Sequence, residues 1–547
     1  MSISNSKTSN MRKSFLYISL VAAVTGTGCT KDFDEINTDP TRSSPANFDP
    51  NYFLSSSQWE HANAISGYNG PILFQSGWVQ IFASTSSGAA NYYSNADKYV
   101  PSSNTNTYLG SSWNVAYRSA SLANEAIETT TNRPELSNLA NIATIMKVLN
   151  AQYLTDTYGD IPYTQALQAK TNVTLPVYDK QQDVYKAMLA DLDAAVGKLD
   201  PAKTGPTADL FPYKGNVAQW KRFGNSLLLR MAMRLVKADA ALAKQYAEKA
   251  AAGGTLASVA DDAFIKGDEA NGYRNANTAA LNVAGDFYEV RWSKTLIDYL
   301  KGTNDPRVGV IAEVPAAGLA GNQSFGLAGN NDPAIQKGLP NGFDLNAGAT
   351  DISKSPGYAG GTGTGADFTP IGQYSRPRSA VYGNYSGPVF VLSYAESELL
   401  LAEAAVRGWN VGGTAAQHYA NALGGAIQSL GAFGGAATVP AATVTAYVAA
   451  HPLDVSSQTA SLKMINEQYW ATTGVQLNFS EAWNNWKRSG YPVLTPVNYP
   501  GNFSGGAIPR RQPYPLSEAT LNGANYSTAV GGLTGGDVWT SRLWWDK

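Results

Sequence analysis

Apolar residues recur at helical spacing through much of the chain. In DVYKAMLADLDAAVGKL, Val184, Met188, Leu192, Ala195 and Leu199 fall on one face. In WKRFGNSLLLRMAMRL, Trp220, Phe223, Leu227, Met231 and Leu235 do the same. SYAESELLLAEAAVRGW sets Ser393 three residues ahead of Glu396, the spacing of a capping box, before an apolar face of Leu399, Ala402 and Val406. The same reading predicts further helices over 113–131, 137–156, 240–252, 285–300, 414–430, 458–471 and 475–488. Short breaks divide several of them into pairs able to run antiparallel, as in tetratricopeptide-type hairpins, although no clean period of about 34 residues is present. Helical spacing among apolar neighbours assigns Trp220, Phe223, Trp483 and Trp486 to the core.

The pattern lapses twice. Residues 30–50 are rich in Asn, Asp, Pro, Ser and Thr and read as a tether or a strap. Residues 302–388 form a long irregular insert, exemplified by GLAGNNDPAIQKGLPNGFDLNAG; inserts of this length are functional or disordered more often than not. The best strand candidate is Pro388–Ser393, so any sheet is expected to be small. Pro509, Pro513 and Pro515 exclude a regular helix from 508–518, and Trp544 and Trp545 offer large areas to bury near the end. The expected class is mainly α.

The start of the chain has its own logic. Lys7, Arg12 and Lys13 precede the apolar run Phe15–Val24, which is too short to span a bilayer and has the form of a secretory signal. Gly26, Thr27 and Gly28 lead to Cys29, the single cysteine of 547 residues, with no partner for a disulfide or a zinc site. Cleavage after residue 28 and lipidation of Cys29 are expected, although Gly26 stands where a leucine is more usual. The acidic stretch KDFDE follows at once.

Lys plus Arg total 40 against 42 for Asp plus Glu, and no basic stripe is present to neutralise phosphates, so a nucleic-acid partner is not expected. Charged residues are 15% and aromatic residues 11% of the chain, a balance that suits recognition by rings and amides as well as ordinary core filling. No H-E-x-x-H, G-x-S-x-G or P-loop occurs, and no carboxylate pair is nominated for glycoside hydrolysis. Asp156 and Asp160 in DTYGDIPY read as parts of a turn between helices. Structural calcium is a weaker candidate through Asn331, Asp332, Asp344 and Asn346; EF-hand spacing is absent, and an ordinary Asn/Asp-rich turn is the favoured reading. For ligand binding, the stretch 77–99 lacks helical periodicity and places Trp78, Tyr92 and Tyr93 beside Gln80, Asn91 and Asn95, rings for stacking on sugar faces and amides for hydroxyls. Tyr288 and Arg291 in DFYEVRW and Tyr374 in GQYSRPR are candidates to complete the surface.

Eight stretches resemble, in order, the SusD/RagB-type outer-membrane nutrient-binding lipoproteins of the SusD-like subgroup: CTKDFDEINTDPT, DTYGDIPYTQAL, WKRFGNSLLLRMAMRL, TLIDYLKGTNDPRV, SYAESELLLAEAAVRGW, FSEAWNNWKRSGYPVL, IPRRQPYPLSE and RLWWD. The resemblance implies one domain over 29–547, with four helical hairpins supporting a loop-rich ligand-binding half. It implies an outer-membrane anchor at Cys29 and an outward-facing position. It also implies a binding rather than catalytic role, in which oligosaccharide is captured and handed to a SusC-like TonB-dependent transporter across a neutral, mixed surface. The region after the first helix, which holds 77–99, helps form the family's binding surface. Glycan, peptide and another nutrient all stay open as ligands, with a secreted hydrolase as the outlying alternative.

Overall fold

Helices form where the apolar pattern places them. In the computed structural model, which describes residues 48–86, 93–283, 290–315, 329–358 and 372–547, the long helices run in this order. They are α1 (Asn51–Ala64), α2 (Thr105–Thr130), α3 (Ser137–Tyr158), α4 (Gln181–Gly197), α5 (Val217–Arg234) and α6 (Ala240–Gly253). After these come α7 (Lys294–Gly302), α8 (Tyr394–Val406), α9 (Ala415–Gln428), α10 (Ala441–Ala450), α11 (Gln458–Val475) and α12 (Phe479–Ser489). The fold is mainly α. Four hairpins, α2–α3, α4–α5, α8–α9 and α11–α12, stack through α3 on α4, α5 on α8 and α8 on α11. Val184, Met188, Leu192, Trp220, Phe223, Leu227 and Met231 are all buried in their shared core, as the spacing predicts. Asn51–Lys547 forms one compact unit and Met1–Pro50 falls in another. Cys29, residues 1–28 and most of 30–50 lie outside the described residues.

Buried ion pairs tie the hairpins to one another. Arg230 of α5 lies 2.5 Å from Glu396 of α8, and Arg234, one turn on, lies 2.7 Å from Glu481 of α12. The Tyr469 hydroxyl of α11 stands between the two carboxylates, 2.7 Å from Glu396 and 2.8 Å from Glu481. Arg488 of α12 grips Glu403 of α8 with two nitrogens, at 2.6 and 2.8 Å. Burial opposes the Glu403 charge, but the Arg488 guanidinium outweighs it and holds the carboxyl at about 2. Among the described residues no helix is long and apolar enough to cross a membrane.

Four departures from the sequence reading have local causes. Ser393 caps α8 by accepting the Glu396 amide at 3.3 Å, but the Glu396 carboxylate does not return the bond; it turns inward to Arg230. The helix expected over 285–300 begins only at Lys294, because Val290–Trp292 is a strand. The helix expected from 475 restarts at Phe479, after Leu477 takes a left-handed φ of 60° and the Asn478 side chain caps the new first turn. Helix α1 has no apolar periodicity, since its buried face carries Asn51, Ser57, Gln58 and His61. These dock by hydrogen bonds: Ser57 donates to the Ser119 carbonyl at 2.8 Å, Gln58 to Asp209 at 2.7 Å, and His61 meets Asn150 at 3.0 Å.

Sheet is scarce. β1 (Phe82–Ser84) pairs antiparallel with β3 (Val290–Trp292), and β2 (Ala263–Lys266) with β7 (Pro388–Leu392), the strand expected there. β4 (Ala312–Pro315) lies between β5 (Gly329–Asn330) and β6 (Arg376–Pro377). These strands and the loops between them pack over a second core that contains Trp78, Trp292, Trp470 and Trp483.

Candidate functional site

The β1–β3 ribbon frames the loop-rich half, with Phe82 opposite Trp292, Ala83 opposite Arg291 and Ser84 opposite Val290. The irregular insert is laid against it by main-chain bonds. The Leu339 amide donates to the Trp292 carbonyl at 2.8 Å, the Lys294 amide to the Leu339 carbonyl at 2.8 Å, and the Trp292 amide to the Ser375 carbonyl at 3.0 Å. Such pairing satisfies buried backbone groups without any side-chain period. A cleft of about 440 Å³ opens at this junction, lined by Gln80, the first turn of α7, the loop from Pro340 to Phe343 and the segment from Thr495 to Asn498. A second cleft of about 240 Å³ shares Lys294, Asp298 and Pro340 with it and extends to Lys301, Lys337 and Tyr374.

Gln80 locks three walls together. Its Nε2 donates to the Thr495 carbonyl at 2.6 Å and its Oε1 accepts from the Thr295 hydroxyl at 2.7 Å. These bonds hold a backbone φ of 54°, a left-handed value uncommon outside glycine. Asn341 acts in the same way, accepting from Ser293 at 2.5 Å and donating to the Phe82 carbonyl at 2.9 Å. The buried Asp97 accepts the Gly342 amide at 3.1 Å while pairing with Lys98 at 2.9 Å. Gly342 itself has φ +88°, and a Cβ there would lie 2.7 Å from Val497 Cγ1 across the cleft wall. Asp344 accepts from Thr350 and Tyr499, each at 2.6 Å. Burial works to raise this carboxyl, and the hydrogen bonds from Thr350, Tyr499 and the Asn346 amide outweigh it and hold the group below its ordinary value.

The structure puts the expected ligand residues in three places. Asn91, Tyr92 and Tyr288 lie outside the described residues. Trp78, Tyr93, Arg291 and Tyr374 are buried, with exposures of 0%, 1%, 0% and 3%. Trp78 packs against Trp483, Trp539 and Phe74 at ring separations of 5.1, 5.6 and 5.6 Å, so its faces are occupied by protein rather than open for stacking. Tyr374 packs with Ala83, Leu339 and Ile352 beneath the insert. Gln80 reaches the cleft with its amide already bonded on both sides. Of the described residues singled out for contact, Gln80 lines the first cleft and Tyr374 the second, and the others are buried in the packing. The groups exposed at the cleft are Lys294, Asp298, Thr495, Pro496 and Asn498, with Phe343 half-buried beside them. None was singled out from the sequence; their signal is the pair of Pro- and Asn-containing turns PNGFD and TPVN, the kind that shapes a rim.

Two other chemistries were weighed on the sequence. Among the described residues there is no group of three or more His, Cys, Asp or Glu placed to hold a metal. Asn331 donates across to the Gly309 carbonyl at 2.7 Å and Asp332 accepts the Ala334 amide in a turn at 2.9 Å, bonds separate from those of Asp344 and Asn346. The DTYGDIPY carboxylates are likewise engaged. Asp156 accepts from Tyr185 at 2.5 Å and lies 3.3 Å from Arg234, while Asp160 pairs with Lys180 at 2.9 Å and accepts the Gln181 amide at 2.8 Å.

Comparison with known proteins gives concordant results. The model of the SusD-like family described as "Starch-binding associating with outer membrane" matches residues 43–515. Among solved structures, a chitin-binding protein is 29% identical, with 91% of this chain and 100% of that one covered and a TM-score of 0.75. A SusD-like protein from Bacteroidetes is 24% identical over 91% and 100% of the two chains, with a TM-score of 0.73. A chitin-binding SusD homologue from Flavobacterium johnsoniae is 23% identical over 91% and 98%, with a TM-score of 0.70. Comparison with curated proteins gives no match.

Proposed function

Since this chain belongs to the SusD-like family, we propose that it is a cell-surface glycan-binding lipoprotein that captures oligosaccharide and delivers it to a SusC-like TonB-dependent transporter. The observation that carries the reading is the family match over 43–515, joined to 29% identity with a chitin-binding protein across that protein's whole length. The cleft between Gln80, α7, the Pro340–Phe343 loop and Thr495–Asn498 is the proposed ligand site. Its exposed hydroxyl, amide and charged groups supply donors and acceptors for sugar hydroxyls, and Phe343 supplies an apolar face. Trp78, Arg291 and Tyr374 serve beneath it as support.

The anchor is proposed at Cys29, with the mature protein facing the exterior. A Cys29→Ala protein is expected in soluble or unprocessed form, and undiminished labelling of it by a palmitate analogue would sink that assignment. Gentle-detergent purification from native outer membranes is expected to bring a large β-barrel protein with the chain; repeated recovery of the chain alone would count against the transporter. The ligand class is tested by calorimetric titration of the unlipidated protein with chitohexaose, maltohexaose and xylohexaose. Binding of at least one is expected, with weakening in a Phe343→Ala/Asn498→Ala variant. Binding of an oligopeptide panel with no response to any glycan would replace sugar by peptide as the cargo.

A further inference from the structure

A third cleft, of about 380 Å³, shares no residue with the two at α7. One wall is Trp59 of α1, half-buried, and the other is Tyr273, 52% exposed. Their rings meet edge to face, 5.2 Å apart and 84° to one another, forming an open corner. Leu210, 40% exposed, closes the base.

The backbone on two sides of the corner is braced by hydrogen bonds. Tyr273 sits at the end of a tight hairpin closed by the Asp268 amide to the Tyr273 carbonyl at 2.5 Å and the Tyr273 amide to the Asp268 carbonyl at 2.9 Å. The Asp268 side chain braces the hairpin from within, accepting from Asn271 Nδ2 at 2.6 Å. Leu210 is fixed by its amide, which donates at 2.8 Å to Gln58, the residue beside Trp59. Rings held in place before a ligand arrives lose little freedom on binding. Around them stand Glu60, Lys266 and Asp268, acceptors and a donor spaced along the rim.

We propose that the Trp59–Tyr273 corner is a second saccharide-binding site. A pyranose presents an apolar C–H face and a ring of hydroxyls. One ring of the corner covers the C–H face, the perpendicular ring fits its edge, and the rim carboxylates and ammonium take the hydroxyls. A folded protein partner would need well over about 1,000 Å² of buried surface, far more than this small recess offers. A nucleic acid would find no basic cluster here among the described residues: Lys266 is the one cation lining the recess, beside Asp268 and a Glu60 that pairs with Arg118. Two separate sites would let the protein hold a long polysaccharide at two points, so that release at one does not free the chain. The class of ligand rests on the glycan reading above; the corner itself rests on its own geometry.

Calorimetric titration with chitohexaose, maltohexaose and xylohexaose tests the proposal on four proteins: wild type, Trp59→Ala/Tyr273→Ala, Tyr273→Phe, and Phe343→Ala/Asn498→Ala. The wild type is expected to show two binding events. The Trp59→Ala/Tyr273→Ala protein is expected to lose one of them, with affinity at that site reduced roughly tenfold or more, by analogy with aromatic stacking on bases. Tyr273→Phe, which keeps the ring and the hairpin, is expected to retain both. A Trp59→Ala/Tyr273→Ala protein with the wild-type isotherm and unchanged melting overturns the corner and leaves the α7 cleft standing. If that variant instead loses all binding while Phe343→Ala/Asn498→Ala loses none, the corner stands and the α7 cleft falls. A wild type that binds no hexasaccharide overturns both. If the double variant does not fold, Tyr273→Ala alone, on an exposed hairpin, gives the same reading.

Discussion

The helical hairpins and the loop-rich half solve the same problem, burial of polar groups, with a different balance of means. In the hairpins the polar groups are charges paired between helices far apart in sequence: Arg230 with Glu396, Arg234 with Glu481, Arg488 with Glu403. In the loop-rich half the buried charges pair within the loops and strands, as Asp97 with Lys98, Asp305 with Arg307 and Glu313 with Arg376, and neutral amides tie the segments together: Gln80 bridges Thr295 and Thr495, and Asn341 bridges Ser293 and Phe82. A paired charge fixes relative orientation strongly and fails badly when one partner is lost. An amide bridge is weaker, so a surface built from such bridges can vary its loops without loss of the scaffold.

The sharpest way to break this contrast is to remove one buried charge. Glu403→Ala leaves Arg488 buried without its carboxylate, and a loss of about 3–5 kcal/mol is expected in urea unfolding. A loss below about 1 kcal/mol would mean that the ion pairs do not clamp the hairpins.

The next effect is read by pH. Burial pushes His61 down to about 4, the Asn150 hydrogen bond opposes the shift, and the Arg230 charge adds to it. With the folded value below the ordinary 6.5, the unfolded chain takes up more protons between those two values. Stability is therefore complete above pH 6.5 and falls as pH drops toward 4, by roughly 2–3 kcal/mol from this group. His61→Gln should flatten that part of the curve relative to wild type; an unchanged slope would contradict a neutral, buried imidazole.

Smaller still is the effect of Gln80→Ala, about 1–3 kcal/mol, because it strands the Thr295 hydroxyl and the Thr495 carbonyl. Glycan affinity should fall more than global stability does. Equal losses in both would make Gln80 a core residue rather than a brace of the cleft. At the low end, Lys294→Ala should cost no more than about 0.5 kcal/mol in unfolding, since Lys294 and Asp298 are each 54% exposed and their pair is screened. Its effect is expected in ligand binding alone.

The same contrast decides what could be read from the sequence. Trp220, Phe223, Leu227 and Met231 announce α5 because burial of a helix face against other helices imposes a period on the chain. Helix α1 escapes the pattern because Ser57, Gln58 and His61 reach their partners by hydrogen bonds, which need no apolar stripe. The strand at Val290–Trp292 escapes because three residues are too few for alternation to show. In the candidate site, the described rings that the sequence singles out are buried: Trp78 lies in the second core and Tyr374 in a small cluster with Ala83, Leu339 and Ile352. Helical spacing correctly assigned Trp220 and Trp483 to the core, but the absence of such spacing did not make Trp78 accessible. Which of Lys294, Phe343, Thr495 and Asn498 face one another depends on backbone pairing among 80–84, 290–294 and 336–341, contacts between distant stretches that leave no local trace.

Hydrogen exchange with and without chitohexaose compares the two halves in one experiment. The account predicts new protection at 336–350 and 493–498, and at the 268–273 hairpin of the second corner, with the amides of α4, α5 and α8 unchanged. Protection confined to those helices, with the 336–350 and 493–498 amides unaffected by a sugar that binds, would contradict the assignment of ligand capture to the loop-rich half.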